Sequence, residues 1–262
     1  MGKIILKQQP KTVKVDDEEK QIWLLDNKKF DSFNPDVLGL GDISLRSTQV
    51  EAIAGVFDLS GFTTFCSQID PHLAVPEYLS RFLDWLFEEI KKEFVAESYK
   101  EGKKLWAELP FLAKFLGDGA LFLWDTKDMT ETEICNVVTA LKIICRHYKS
   151  NFYAEIRKVV VEPPNILRCG IARGRVFSVG NGEDYVGPCI NLASRLQKLS
   201  LLTFCISRRG FDFEKKIYKS EFPRYVLKSV SMRGIGENEL VWVLKEEFDD
   251  LPDEEKALFR SP

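Results

Sequence analysis

Residues 109–125, LPFLAKFLGDGALFLWD, decide the fold. Two short apolar runs of strand composition flank Gly117-Asp118-Gly119, so the segment reads as a hairpin with one carboxylate at its turn. Residues 54–65, AGVFDLSGFTTF, repeat the pattern: a strand from about Gln49 to Phe57 ends at Asp58, and small residues then turn the chain. A charge at the lip of a buried strand needs a partner. Two such carboxylates brought together repel unless a divalent cation lies between them, and hard oxygen ligands suit Mg²⁺ or Mn²⁺. That is the minimal equipment for chemistry on a nucleoside triphosphate.

Between these strands, residues 60–94 repeat apolar side chains at helical spacing. Tyr78, Phe82, Trp85, Leu86 and Ile90 form one stripe after Pro76, a core-facing pattern. A second helix is expected from about Glu131 to Tyr153. Residues 163–180, PPNILRCGIARGRVFSVG, read as a strand pair, residues 184–200 as a turn entering a helix, and residues 225–248 as a last strand pair around a glycine turn. The order β-α-β-β-α-β with an appended hairpin predicts an α+β sheet with helices on one face. The expected organisation is an N-terminal arm over 1–45, a catalytic domain over 46–248 and a charged C-terminal tail over 249–262.

Composition excludes several classes. The 262 residues are 45% hydrophobic, enough to bury one full core. Lys+Arg 37 against Asp+Glu 40 gives a net charge of −3, so no global basic field collects nucleic acid. Cys66, Cys135, Cys145, Cys169, Cys189 and Cys205 form no CxxC pair and mostly sit in apolar runs, which reads as reduced core thiols in a cytoplasmic protein. No apolar stretch approaches the ~18 residues of a membrane span, and neither a signal peptide nor a myristoylation signal is read at the N-terminus. His72 and His147 lack metal-type spacing and read as surface or capping residues.

Residues 182–196, GEDYVGPCINLASRL, carry the second block of chemistry. Asn191 and Arg195 stand four apart on the expected helix and project from one face. A guanidinium beside an amide suits an anionic transition state: the first neutralises phosphoryl charge and the second orients a sugar.

Together FDLSGFT (57–63), KFLGDG (114–119), GIARGRVFSVG (170–180) and DYVGPCINLASR (184–195) resemble the class III nucleotide cyclase catalytic domain across roughly residues 50 to 245. The resemblance implies a head-to-tail homodimer with composite sites, two metal ions (Mn²⁺ or Mg²⁺) per site, and attack of a ribose 3′-hydroxyl on the α-phosphate. By matching positions, Asp58 and Asp118 are the implied metal ligands, with the Leu59 carbonyl as a further one. Asn191 and Arg195 are the implied transition-state pair, given by the other subunit. Arg175 and Arg233 fall where cationic contacts to the triphosphate are expected, and Phe57 borders the substrate.

The base is read in two ways. Lys114, four residues before Asp118, and Asp184, seven before Asn191, match the pair that reads adenine in adenylate cyclases. The wording between the motifs resembles more closely the bacterial pyrimidine cyclases of the Pycsar antiphage system, on the uridylate side. That resemblance implies conversion of UTP to 3′,5′-cyclic UMP and pyrophosphate, as a second messenger for a cyclic-nucleotide-responsive effector. Phe115 and Tyr185 are then candidates to fill the space that a smaller base leaves. An adenylate cyclase and an inactive cyclase-fold nucleotide-binding module are the alternatives.

Overall fold

A computed structural model of the chain describes residues 7–15, 18–211 and 223–262. In chain order the strands are β1 (Gln9–Val15), β2 (Glu18–Leu24), β3 (Gln49–Ser60), β4 (Val95–Ser98), β5 (Lys103–Leu105), β6 (Leu112–Phe115), β7 (Gly119–Asp125), β8 (Ile166–Val179), β9 (Asp184–Val186), β10 (Phe204–Ser207), β11 (Tyr225–Met232), β12 (Gly236–Leu244) and β13 (Phe259–Arg260). The helices up to the last candidate motif are α1 (Asn27–Asp31), α2 (Phe62–Phe65), α3 (Pro71–Phe94), α4 (Glu131–His147), α5 (Tyr153–Ile156) and α6 (Pro188–Leu196). Two compact units result: residues up to Gln49 together with Phe177–Val186, and Val50–Val176 together with Gly187–Pro262.

The first unit holds the antiparallel hairpin β1/β2, so the polar N-terminal arm carries regular strand pairing. Ser178 at the end of β8 accepts from Thr48 N at 2.8 Å, and Ser47 Oγ donates to Ser178 O at 2.8 Å. β9 pairs antiparallel with that end of β8.

The second unit is built on the sheet order β13-β11-β12-β10-β8-β3-β7-β6. Within it β8-β3-β7-β6 is the βαββαβ unit expected from the sequence, with the hairpin β6/β7 antiparallel and β7 antiparallel to β3. β10 returns parallel to β8 after α6, and β11/β12 form the appended hairpin. Along β3, Ile53, Phe57 and Leu59 enter the main core with Tyr78, Phe82, Leu86 and Ile90 of α3 and Val137, Leu141 and Ile144 of α4. Strand alternation therefore points Val56 and Asp58 to the opposite face. α3 starts earlier than Pro76: Pro71 opens it, and Pro76 lies within its first two turns. α4 begins on a capping box between Thr130 and Glu133 and continues through a π turn at Tyr148–Phe152.

The expected strand pair over 163–180 is instead one strand of 14 residues. Gly170 within it allows close approach: a Cβ on it would stand 2.2 Å from Ala193 O and 2.4 Å from Gln197 N. α6 rests on that bare backbone, on the face opposite Cys169 and Ile171. The two long helices thus share one face and α6 covers the other. At the far edge, β13 pairs with β11, and Leu251 and Phe259 are buried, so the charged tail contributes an edge strand. All six cysteines are free thiols, five of them buried.

Candidate active site

A cavity of about 530 Å³ opens where β3, the β6/β7 turn, α6 and the β11/β12 turn meet. Phe57, Asp58, Asp118, Asn191, Arg195 and Arg233 all border it, so one chain brings six of the sequence candidates to one place. The register explains the carboxylates: Asp58 stands opposite Gly119, and Leu59 N donates to Asp118 O at 2.9 Å. Gly119 permits this approach, since a Cβ there would stand 1.9 Å from Phe57 O. Helical spacing explains the cationic wall, with Asn191 and Arg195 one turn apart on α6.

Asp58 is 7% exposed. Burial pushes its carboxyl above the ordinary range; Lys198 pulls it down, Asp118 pushes it further up, and Arg168 pulls it down. Lys198 Nζ lies 3.7 Å from Asp58 Oδ1 on a side chain that is largely in solvent. Gln197, 5% exposed in the same wall, holds an Oε1 that no protein group satisfies. A buried carboxylate with one loose cation, a second carboxylate in the same cavity and an orphaned oxygen fit a divalent cation held by oxygen ligands.

The other candidates are placed differently. Leu59 follows Asp58 on β3 with its side chain in the hydrophobic core, outside the cavity lining. Phe57 borders the cavity but turns its ring into the core, edge-on to Phe122 at 6.0 Å. Lys114 and Phe115 stand on β6, opposite Leu121 and Ala120, outside the cavity lining. Arg175 lies in the wall of an adjoining cavity and pairs with Glu51 at 3.0 Å. Asp184 and Tyr185 belong to the other unit, in β9, where the Asp184 carboxylate accepts from Tyr185 N at 2.8 Å. Three site residues escaped the sequence reading: Lys198, Arg168 and Gln197. Lys198 completes the stripe 191, 195, 198 on the extension of α6, a spacing that points to it. Arg168, bonded to Ser60 Oγ at 2.9 Å, carries no such signal.

One trio elsewhere has ligand character. Glu89 and Glu93 on α3 and His147 at the end of α4 bring three donor atoms within 4.8 Å of one another. His147 Nδ1 is 2.9 Å from Glu89 Oε2, an interhelical polar contact that gives the buried Glu89 a partner. Among the described residues no helix is long and apolar enough to cross a membrane.

No model of a known protein family matches the sequence, and no curated protein matches it. Solved structures do match. The adenylyl cyclase CyaB from P. aeruginosa aligns over 76% of this chain and 96% of its own, with a TM-score of 0.55 at 16% identity. The catalytic core of a rhodopsin-guanylyl cyclase with converted specificity, in complex with ATPαS, aligns over 75% and 97%, with a TM-score of 0.51 at 18% identity. The α+β fold is that of the class III cyclase catalytic domain.

Proposed function

We propose that the chain is a nucleotide cyclase that converts a nucleoside triphosphate to a 3′,5′-cyclic nucleotide and pyrophosphate. The observation that carries this reading is the single cavity bordered by Asp58, Asp118, Asn191, Arg195 and Arg233 on a cyclase fold. In the reaction the 3′-oxygen forms a bond to the α-phosphorus, the bond from that phosphorus to the β-bridging oxygen breaks to release pyrophosphate, and the hydroxyl proton passes to solvent. Asp58 and Asp118, with the Leu59 carbonyl, would hold divalent cations, Mn²⁺ or Mg²⁺ and two per site. Such ions would supply Lewis-acid stabilisation of the attacking and leaving oxygens. Arg195 neutralises charge on the phosphoryl group, Asn191 orients the ribose, and Arg233 holds the triphosphate. The exposure of Asn191 and Arg195 leaves them open to a second chain, in keeping with a head-to-tail homodimer.

The proposed substrate is UTP, on the sequence resemblance to uridylate cyclases, and the proposed role is production of cyclic UMP as an antiphage messenger read by an effector. Lys114 and Asp184 carry the competing adenine reading. A site built on hydrogen bonds to one base edge rejects the wrong edge strongly. Equal concentrations of ATP, GTP, CTP and UTP with Mn²⁺ should therefore yield cyclic UMP, with little cyclic AMP, by product mass. Dominant cyclic AMP would replace the uridylate reading with the adenylate one.

A further inference from the structure

The residues before Val50 carry regular structure without a core. β1 pairs with β2 along its whole length, and Asp26 caps α1 by accepting from Lys28 N at 3.0 Å. Yet no side chain described between Lys7 and Gln49 is buried. Trp23, Phe30, Phe33, Leu38, Ile43 and Leu45 are each at least half exposed, Phe33 to 73%. A two-stranded hairpin is marginal in water, and large apolar side chains gathered in one segment mark a surface that something covers. Their exposed area is on the order of 700 Å², and a specific dimer buries about 800 Å² on each partner. The base of this arm is fixed. Ser47 and Thr48 bond to Ser178, and Gly180 lies so close to Leu40 that a Cβ on it would stand 1.5 Å from Leu40 O.

Chain continuity says what lies opposite. β9, in the arm's unit, ends at Val186, and α6 starts at Pro188. A second copy whose β6/β7 turn meets α6 therefore meets the arm's unit as well. In that copy β6 is the last strand of the sheet order, and an open edge beside apolar side chains invites association unless it is covered. The chain entering β6 exposes Trp106 at 56% and Leu109 at 42%, and Phe115 at its end is 49% exposed. We infer that the arm packs through its exposed apolar side chains on the β6 edge of a second copy of this chain, from Trp106 to Phe115. Across a two-fold axis the exchange is mutual, so both arms and both edges are covered at once. The inference rests on the homodimer of the proposed function and not on its chemistry.

The test is sedimentation of the full chain over a concentration series, with hydrogen exchange measured on the same samples. Wild type should dimerise, and the amides of residues 27–45 and 106–115 should gain protection together as the dimer forms. Phe33→Asp and Leu109→Asp should each weaken the dimer at least tenfold, because each puts an unpaired charge into an apolar contact. Leu109→Asp leaves the sequence of the arm intact, so loss of arm protection in that variant marks contact between the two segments. Both positions are exposed, and a melting temperature equal to that of wild type at a concentration where wild type is monomeric verifies that each variant folds. A wild type that stays monomeric at sub-millimolar concentration, or dimers indifferent to both substitutions, would overturn the inference. So would arm protection that is equal in monomer and dimer, since the arm would then be covered by its own chain. A dimer that uses the arm but yields no cyclic product would sink the cyclase reading alone. Cyclic product from a dimer indifferent to both substitutions would sink this inference alone.

Discussion

Asp58 sets function against stability in one side chain. Its carboxyl is raised above its unfolded value chiefly by burial. A raised carboxylate stabilises the fold fully below the unfolded value and loses that contribution as pH rises through the folded value, so the ionised group costs stability at neutral pH. In EDTA, Asp58→Asn should melt higher than wild type at pH 7, and the gap should shrink as pH falls towards 4. Added Mn²⁺ should raise the melting temperature of wild type and not of the variant. Thermal melts over pH, with and without metal, check this; a variant less stable than wild type at pH 7 in EDTA contradicts the burial argument. Asp58 and Asp118 were legible because a carboxylate closing an apolar strand is chemically anomalous. Gln197 and Arg168 were not, since their places depend on α6 lying on β8, which local sequence does not encode.

At the scale of elements, periodicity read well where each element is half-buried or long. Tyr78, Phe82, Leu86 and Ile90 of the expected stripe are buried and Trp85 is partly buried against the same core, and the β6/β7 hairpin turns at Gly117-Asp118-Gly119. It read poorly where tertiary approach decides. Gly170 and Gly174 look like turn residues in isolation, yet β8 runs through both because α6 needs bare backbone at Gly170. The edge strand β13 has two residues and no pattern of its own, so it exists only because β11 offers an open edge. The helix contact is testable. Gly170→Ala should destabilise the protein by on the order of 3 kcal/mol by overpacking, and should weaken activity by displacing Asn191 and Arg195. Chemical denaturation measures the first effect. A variant as stable as wild type would mean that α6 does not rest there.

At the scale of the molecule, the fold is that of a cyclase catalytic domain, and the cleft gathers acidic and cationic walls within one chain. The resemblance to cyclases implied that the acidic wall of one subunit works with the α6 wall of another. Mixing inactive Asp58→Asn with inactive Arg195→Ala should then restore part of the activity, because one of two composite sites in a heterodimer is whole. With subunit exchange verified, a dead mixture would confine each site to a single chain. Net charge argued in the sequence against a global basic field for nucleic acid, but the base remained undecided there, because Lys114 and Asp184 offer polar groups that serve either ring. The central claim is that Asp58 and Asp118, with metal, act together with Asn191 and Arg195 of α6 to cyclise a nucleoside triphosphate. The most direct measurement is the product mass and pyrophosphate yield from each triphosphate with Mn²⁺, for wild type and for Asp118→Asn side by side. Wild type should release cyclic nucleotide and pyrophosphate in equal amounts, and Asp118→Asn should be slower by a factor of about 10³ or more. No cyclic product from any of the four triphosphates, or an undiminished rate in Asp118→Asn, would contradict the account.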